Sequence, residues 1–416
     1  MSKFKSSVAV YIDFINLMKS TFDKEIFSKF FERISHSMPI DEDETIDDSE
    51  LAAFYFKTNQ KINFLYDLAL TYSEKYLFES ELINFEYKLA LILSLYRKNE
   101  LAAKLIFKIL SKTEEITLTK QFIAKCNLLL GEVFAAEADW RQSDRHLKLA
   151  KGIFEELNDY DGIAECEFLF GSIYLEKGDI EIGEIRLESA ERFFINDENA
   201  LLKAKLLNNR GILNSIRENF PEAKKYFEES LKIFESLNNL PMQAETKLNL
   251  GIVNFNKNEL EIALKQFNDA KILAIRSLSI QTVALALMYK ANVYLKKQSL
   301  LRALKMTNQA KAISYQINDT LTVADLFKIN GIVNIHLGKN EVAEDMLLTS
   351  LRINNELGNK LNSAETSVEL GHLYRIMKKY DQAKMYFENA IDYYTKIGSE
   401  KLVKGLNISL NSLKYL

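Results

Sequence analysis

The amino-acid sequence predicts an all-α protein, an α-solenoid built from repeated helical hairpins, and three observations lead to this prediction. The 416 residues include 3 prolines and 14 glycines, where average composition would give about 20 and about 30. Gly and Pro build turns, so their scarcity favours long helices with few sharp turns. Small residues recur every 40 positions along most of the chain. Apolar and charged residues make up 47% and 27%, a normal soluble balance.

The bulk composition excludes several classes of protein. A net charge of −4 gives no overall attraction to nucleic acid or to an anionic membrane, since both need clustered Lys and Arg. Two cysteines cannot form a disulfide framework or a zinc quartet. No run reaches the roughly 18 uncharged apolar residues of a membrane span, and Asp13 interrupts the apolar N-terminal stretch. We expect a cytoplasmic protein with reduced cysteines and with neither nucleic acid nor a membrane as partner.

A repeat of 40 residues organises the chain. Its first row consists of small residues: Gly131, Gly171, Gly211, Gly251, Ala291, Gly331 and Gly371. Twelve positions later stands a second small row: Ala103, Ser143, Gly183, Ala223, Ala263, Ala303, Ala343 and Ala383. Four positions after that comes a third row, most of whose members are large: Phe107, Leu147, Leu187, Phe227, Phe267, Thr307, Leu347 and Phe387. A further, mostly small residue follows three positions on.

The spacing of these rows predicts two helices in each unit. Residues at i, i+4 and i+7 share one stripe of a helix, and small residues on that stripe let a second helix approach closely. Each unit therefore contains a first helix that carries the glycine and a second helix that carries the stripe, each about 17 residues long. Pro221 and Pro241 stand where helices should begin, a position at which the missing N–H costs nothing.

The units resemble tetratricopeptide repeats in their 40-residue form. The resemblance is carried by LNLGIVNFNKNELEIALKQFNDAKIL (248–273) and LGHLYRIMKKYDQAKMYFENAIDYY (370–394). That form is similar to the repeats of kinesin light chains, of Leu-Gly-Asn repeat adaptors and of bacterial signalling proteins. It implies a right-handed superhelix of stacked units. The chain departs from the family pattern in lacking the first-helix tryptophan and in having asparagines, which we expect to bond a neighbouring helix, at Asn214, Asn254 and Asn334.

The register of the repeat divides the chain into segments. Residues 119–397 form seven regular units, and residues 79–118 form a divergent unit with Leu91 in place of the glycine. Residues 398–416 are expected to be a C-terminal capping helix. Its apolar face consists of Leu402, Leu406, Leu410 and Leu413.

Residues 1–78 do not fit the register and form an N-terminal helical region. Helices are expected at 11–34 and 51–76, separated by an acidic loop at 41–50. This region either caps the solenoid or forms a separate module. The sequence leaves both alternatives open.

The sequence contains no recognisable catalytic or metal-binding motif. A Gly-rich phosphate loop, H-E-x-x-H, C-x-x-C and G-x-S-x-G are all absent. Cys126 and Cys166 occupy the same place in successive units and are predicted to be small buried core residues, while Trp140 is assigned to packing. We expect no catalytic residue, no metal site, no cofactor and no enzymatic activity.

The resemblance implies that first helices line a concave groove that binds a partner. Asparagine can donate and accept at once, which suits the backbone of an extended peptide. The candidate partner-binding residues are Lys205, Asn208, Ser215, Glu245, Asn256, Asn292, Lys296, Lys328, His336, His372 and Arg375. The same helix positions also supply Lys125, Glu132, Glu165, Ser172, Glu176, Asp325 and Glu365.

One recognition mode within the family can be excluded on these residues. Repeats that clamp the carboxylate tail of chaperones have a Lys three before the glycine and an Asn one after it. Lys328 is paired with Ile332, and Asn292 is paired with Met288, so neither unit has both residues. A chaperone-tail partner is not expected.

Two functions remain. The first is a non-catalytic scaffold whose groove binds a peptide or protein. The second is a bacterial signalling regulator in which an N-terminal output bundle is controlled by peptide or protein binding to the repeats. Charge is uneven, with a net −8 over 161–200 and a net +5 over 281–320, which makes head-to-tail self-association an option.

Overall fold

The computed structural model describes residues 4–5, 9–37, 45–46, 51–112, 118–193 and 199–413. Over these residues two short antiparallel strands, β1 (Phe4–Lys5) and β2 (Thr45–Ile46), pair with each other. The remaining elements there are twenty helices: α1 (Ala9–Thr21), α2 (Lys24–Ser37), α3 (Leu51–Tyr76), α4 (Glu79–Leu95), α5 (Asn99–Ser111), α6 (Lys120–Ala136), α7 (Trp140–Leu157), α8 (Tyr160–Glu176), α9 (Ile180–Phe193), α10 (Ala200–Ile216), α11 (Phe220–Ser236), α12 (Leu240–Asn256), α13 (Leu260–Arg276), α14 (Ile280–Lys296), α15 (Leu300–Gln316), α16 (Thr320–His336), α17 (Asn340–Glu356), α18 (Lys360–Ile376), α19 (Tyr380–Lys396) and α20 (Glu400–Ser412).

The predicted all-α solenoid is confirmed. From α6 to α19 each 40-residue unit consists of two helices, most of them 17 residues long, that pack on each other and on the next unit. The last helix, α20, packs on α19 through Leu406, Leu410 and Leu413. Leu402, the fourth leucine of the predicted apolar face, is largely exposed.

The glycines of the first row lie where the two helices of a unit touch. A Cβ added at Gly211 would stand 2.5 Å from Cε1 of Phe227, and one at Gly251 would stand 2.5 Å from the same atom of Phe267. Each partner is the third-row residue, 16 positions later. By this register Ala291 falls opposite Thr307, the smallest member of that row, so we infer that the smaller partner makes room for the alanine methyl.

Helices end on residues with a left-handed backbone, spaced mostly by 20. With φ between +50° and +77° these are Arg97, Ala138, Asn158, Gly178, Glu218, Asn238, Asn258, Leu278, Gln298, Asn318, Gly338, Gly358, Lys378 and Gly398. The next residue donates its N–H to the carbonyl five positions back, as from Asn219 to Asn214 at 2.8 Å, and this satisfies the helix end. The expectation of few sharp turns is therefore wrong, because these turns are made mostly without glycine.

The N-terminal region differs from prediction in one element. Residues 11–34 were expected to be one helix but form α1 and α2, while α3 matches the expected helix at 51–76. Oδ1 of Asp23 accepts hydrogen bonds from the N–H groups of Glu25 and Ile26, both at 2.9 Å, and so starts a new helix. Apart from β2, the acidic loop at 41–50 lies outside the described residues.

Helices α1–α3 share one apolar core with the repeats. Ile62 and Leu65 of α3 lie in the same buried cluster as Ile313 of α15, and Phe14 of α1 belongs to it too. The Tyr96 hydroxyl at the end of α4 donates to the Asp13 carboxylate of α1 at 2.6 Å. In this conformation the N-terminal helices are packed on the solenoid.

The two cysteines of the repeats are placed as predicted. Cys126 and Cys166 are buried free thiols, and burial raises the pKa of Cys126 to about 12.

The asparagines expected to bond a neighbouring helix do so in part. The amides of Asn214 and Asn334 donate to carbonyls four residues back in their own helices, at 2.8 Å each. Oδ1 of Asn214 also accepts from the side chain of Asn219, the N-cap of α11, at 3.1 Å. A 3.5 Å contact joins Asn334 to Met346 of the next helix.

Candidate functional site

The superhelix surrounds a central cavity, here called the lumen, of about 860 Å³. Most of its wall comes from the first helices of successive units, α8, α10, α12, α14, α16 and α18. The solenoid curves back so that Ile397 and Leu402, near its C-terminal end, line the same space as Phe168 of α8. The polar faces of helices that are distant in sequence therefore meet around one cavity.

The lumen wall is amphipathic and carries an excess of negative charge. Its charged members are six carboxylates and two lysines: Glu132, Glu176, Glu218, Glu245, Asp325, Glu365, Lys205 and Lys296. Apolar and aromatic side chains such as Phe168, Ile252 and Tyr289 stand between them. Such a surface can accept both apolar groups and donors from a ligand.

The structure brings together about half of the candidate partner-binding residues. Six line the lumen: Lys205, Asn208, Ser215, Glu245, Asn256 and Lys296. Five lie outside its lining: Asn292, Lys328, His336, His372 and Arg375. His372 packs edge-on against the ring of Phe387, with 5.1 Å between ring centroids, and belongs to the helix interface of its unit.

The two candidate asparagines that line the lumen, Asn208 and Asn256, differ in how far their amides are already engaged. Asn208 is buried and donates to Oε1 of Glu245 at 3.1 Å, while its Oδ1 accepts from Thr246 and Asn249, both at 3.3 Å. Its amide joins α10 to α12. Asn256 is exposed to the lumen at the end of α12. Of these two, Asn256 is the better placed to meet a ligand.

Lys328 is held by carboxylates on two helices. Nζ lies 3.1 Å from Oδ1 of Asp325 on α16, and it also donates to Glu365 on α18. Burial lowers the pKa of this ammonium, but the two carboxylates outweigh that effect and the net direction is a raised pKa. The lysine therefore stays charged and serves to join adjacent repeats.

Burial raises the pKa of three lumen carboxyls, Glu176, Glu245 and Asp325, and so disfavours their ionised forms. Burial raises the pKa of Glu176 to about 7, although its side chain contacts the solvent within the lumen, and Asp319 and Glu245 raise it further against Arg97. Burial also raises the pKa of Glu369, which lies on α18 outside the lumen lining, to about 7; Lys328 opposes this shift and Glu365 adds to it. A cationic ligand would restore the ionised forms.

Sequence reasoning missed one row of lumen residues. The position two before the first-row residue also faces the cavity, where it places Leu169, Asn209, Asn249 and Tyr289. Asn209 donates to the Ser172 hydroxyl at 2.6 Å, so amide bridges link neighbouring first helices here as well. The signal was available in the sequence, since the 40-residue register continues through these positions.

Comparison with known proteins identifies the repeat type. Residues 322–396 match the tetratricopeptide repeat family, so this part of the chain consists of tetratricopeptide repeats. The other hairpins of the solenoid are tetratricopeptide-like, since they repeat the same pair of helices every 40 residues. No curated protein sequence matches the chain.

Two solved structures share the fold. One is a Rap protein complexed with competence and sporulation factor, with 12% identity, a TM-score of 0.63, and coverage of 84% of this chain and 98% of that one. The other is aspartyl phosphate phosphatase F from Bacillus subtilis, with 13% identity, a TM-score of 0.51, and coverage of 94% and 96%. At such identities the likeness establishes the fold.

The described residues lack two other kinds of feature, a metal site and a membrane-spanning helix. Among them, no group of three or more His, Cys, Asp or Glu side chains is arranged to hold a metal ion. None of the helices they form combines the length and the apolar character needed to cross a bilayer. The lumen is a cavity of the described residues that is large enough to bind a ligand.

Proposed function

We propose that this protein is a non-catalytic scaffold that binds an extended peptide or protein segment in its lumen. The observation that carries the proposal is the wall itself, in which the first helices of several repeats place polar and apolar side chains around one cavity. The Rap protein of similar fold was solved with a bound factor, which supports a binding role. The two buried free thiols support the cytoplasm as its compartment.

The charge of the lumen favours a cationic ligand. Six carboxylates and two lysines line it, and the lining keeps a net negative charge even though Lys328 engages Asp325 and Glu365. An incoming Lys or Arg therefore gains from charge attraction, and its binding favours the ionised form of a carboxyl with a raised pKa such as Glu176. We propose a basic peptide whose apolar side chains contact Phe168 and Ile252. Nucleic acid, being anionic, is not a ligand of this surface.

Selection from a library of short peptides by the immobilised full chain tests the proposal. Basic sequences should be enriched, and Glu132→Lys with Glu176→Lys should weaken their binding by about tenfold, because two lumen charges are reversed. The matched control is Glu229→Lys with Glu235→Lys, two exposed glutamates of α11 outside the lumen lining. No enrichment, or equal losses in the two double variants, would reject lumen binding.

The amide contact can be tested separately with the selected peptides. Asn256→Ala should weaken binding about three- to tenfold by removing one backbone hydrogen-bond partner. Asn308→Ala, an exposed asparagine on α15, is the control and should leave affinity unchanged. Titration calorimetry measures both. Equal affinities for the two variants would remove Asn256 from the site.

The second candidate, a signalling regulator with an N-terminal output bundle, depends on the state of α1–α3. These helices share the core of the repeats, and α3 packs on α15, which supports a cap rather than a separate module. An output role would require them to leave α15. Hydrogen exchange of α1–α3 with and without a selected peptide distinguishes the two, because a cap stays protected in both.

A further inference from the structure

Contacts between distant turns close the superhelix on itself. The Lys360 N–H donates to the Lys177 carbonyl at 2.9 Å, and its ammonium pairs with Asp179. The Tyr393 hydroxyl donates to the Gly178 carbonyl at 2.9 Å. These bonds join the turn between α8 and α9 to the start of α18 and to α19, about 180 to 215 positions away in sequence. We call this set of contacts the latch.

A neighbouring contact lies beside the latch. It follows the same line along which distant turns of the superhelix meet, here called the seam. Nε1 of Trp140, at the start of α7, donates to the Leu357 carbonyl in the turn after α17 at 2.6 Å. The assignment of Trp140 to packing thus becomes more specific. Its indole joins two turns that lie more than 200 positions apart.

The latch differs in kind from the contacts within the solenoid. Adjacent helices share buried apolar clusters, whereas the latch is made mainly of hydrogen bonds from side chains and turns, with Ile397 as its apolar neighbour on the α8–α10 cluster. Hydrogen bonds of this kind exchange with bonds to water and add little net stability. The seam therefore adds less net stability than the apolar contacts between adjacent helices.

The latch is also a wall of the lumen. Leu361 and Asn362, which follow Lys360, line the cavity, and so do Tyr394 and Ile397, which follow Tyr393. In each of two short stretches, 360–362 and 393–397, some residues therefore make the latch contacts and their neighbours line the lumen. Any movement that parts the seam widens the lumen.

We propose that the latch is a reversible gate that holds the superhelix closed around the lumen. Opening separates the α8–α9 turn from α18 and α19 and breaks the seam without disrupting any hairpin. Its role in admitting a ligand rests on the proposed function, whereas its existence as a movable closure does not. A ligand that contacts both sides of the seam favours the closed state by its extra affinity for that state.

Gly178 supplies a sharp test with a matched control. At its φ of +77° a Cβ would lie 2.7 Å from the backbone nitrogen of Leu361 and 2.8 Å from Oη of Tyr393. Gly338 has nearly the same conformation, φ +71°, and nothing lies within 4 Å of its Cβ position. Gly178→Ala and Gly338→Ala thus impose the same backbone strain, and the first alone pushes on the latch.

The experiment measures a distance across the seam in the full chain without ligand. Nitroxide labels on Glu181→Cys and Glu356→Cys, two exposed positions on α9 and α17, report it by pulsed electron paramagnetic resonance. Cys126 and Cys166 are buried and should not react. We expect one short-distance population in the parent and in Gly338→Ala, and an added longer-distance population in Gly178→Ala.

The proposal that the latch is a gate would be contradicted if all three proteins gave the same distance distribution, or if both alanine variants broadened it equally. If Gly178→Ala does not fold, Lys360→Ala with Tyr393→Phe removes the ion pair and one hydrogen bond without a clash, and it should lengthen the distance in the same direction. Because no ligand is present, failure here leaves peptide binding untouched. Failure of the peptide selection likewise leaves the distance result standing.

Discussion

At the scale of the residue, the glycines of the first row set how closely two helices approach. Gly251 meets Phe267, whose ring is fully buried and stacks on Tyr289 at 5.5 Å between centroids. Gly152 lies inside α7, and nothing lies within 4 Å of a Cβ built there. The two glycines are both helical and differ only in the neighbour, so they separate packing from helix propensity.

We expect Gly251→Ala to lower the free energy of unfolding by about 1 to 3 kcal/mol, because its methyl overpacks the interface with Phe267. Gly152→Ala should instead raise it by about 0.5 to 1 kcal/mol through helix propensity alone. Urea unfolding followed by circular dichroism measures both. A gain in stability for Gly251→Ala would contradict the packing role of the row.

A partly buried carboxyl on α18, outside the lumen lining, makes stability depend on pH. The folded-state pKa of Glu369 is about 7 against an ordinary value of 4.5, so folding binds a proton and stability falls as pH rises from about 4.5 through 7. Glu369→Gln should therefore raise the free energy of unfolding by about 1 to 2 kcal/mol at pH 8, allowing for screening, and by less at pH 5.

The control for that effect is Glu388→Gln on exposed α19, which makes the same change of charge away from the lumen. Thermal melts of both variants at pH 5 and pH 8 measure the difference. A Glu369→Gln effect that does not depend on pH would contradict the assigned burial of the carboxyl.

Contacts between residues were predictable from the sequence where the size of one residue requires a partner of matching size. The rows of small and large residues name the pairs that touch, as for Gly211 and Phe227. The engagement of Asn208 by three side chains of α12 was not predictable, because it depends on rotamers that adjacent helices impose. The sequence therefore predicts which helix face a candidate residue occupies more reliably than whether its side chain is already hydrogen-bonded within the protein.

At the scale of the element, residues other than glycine occupy most of the left-handed positions that end the helices. Gln298 and Lys378 are exposed and have φ values of +56° and +61°, a conformation that costs an L residue roughly 1 kcal/mol. The turn hydrogen bonds impose it regardless of the side chain. This is why glycine scarcity predicted helices correctly and turns incorrectly.

We expect Gln298→Gly and Lys378→Gly each to raise the free energy of unfolding by about 0.5 to 1 kcal/mol, since glycine adopts positive φ without strain. Gln298→Ala is the control and should give no comparable gain. Chemical denaturation measures all three. Destabilisation by both glycine variants would mean that the left-handed strain is smaller than the entropy glycine adds to the unfolded chain.

Element boundaries were set by caps that the sequence displays. Asp23 starts α2, and Asp159 caps α8 by accepting from the Gly162 N–H at 3.0 Å. The periodic units made such caps easy to place, since the register repeats them. In the N-terminal region no register exists, and the break at Asp23 went unrecognised.

At the scale of the whole molecule, the curvature of the solenoid creates both the lumen and the latch. Sequence predicted the hairpins and their stacking, but closure depends on small rotations between units that add up over several repeats. The pairing of Lys360 with Asp179 could not have been foreseen, because each is an ordinary turn residue in its own unit. Long-range contacts of this kind are visible only in the assembled superhelix.

The most direct measurement of the central claim is a crosslink from the lumen to a bound peptide. A benzophenone amino acid replaces Asn256, which faces the lumen, or Asn308, which is exposed on α15. With a selected basic peptide, the account predicts a crosslink in mass spectra from position 256 and none from position 308. A crosslink from position 308 alone would place the ligand on the outer surface and contradict the account.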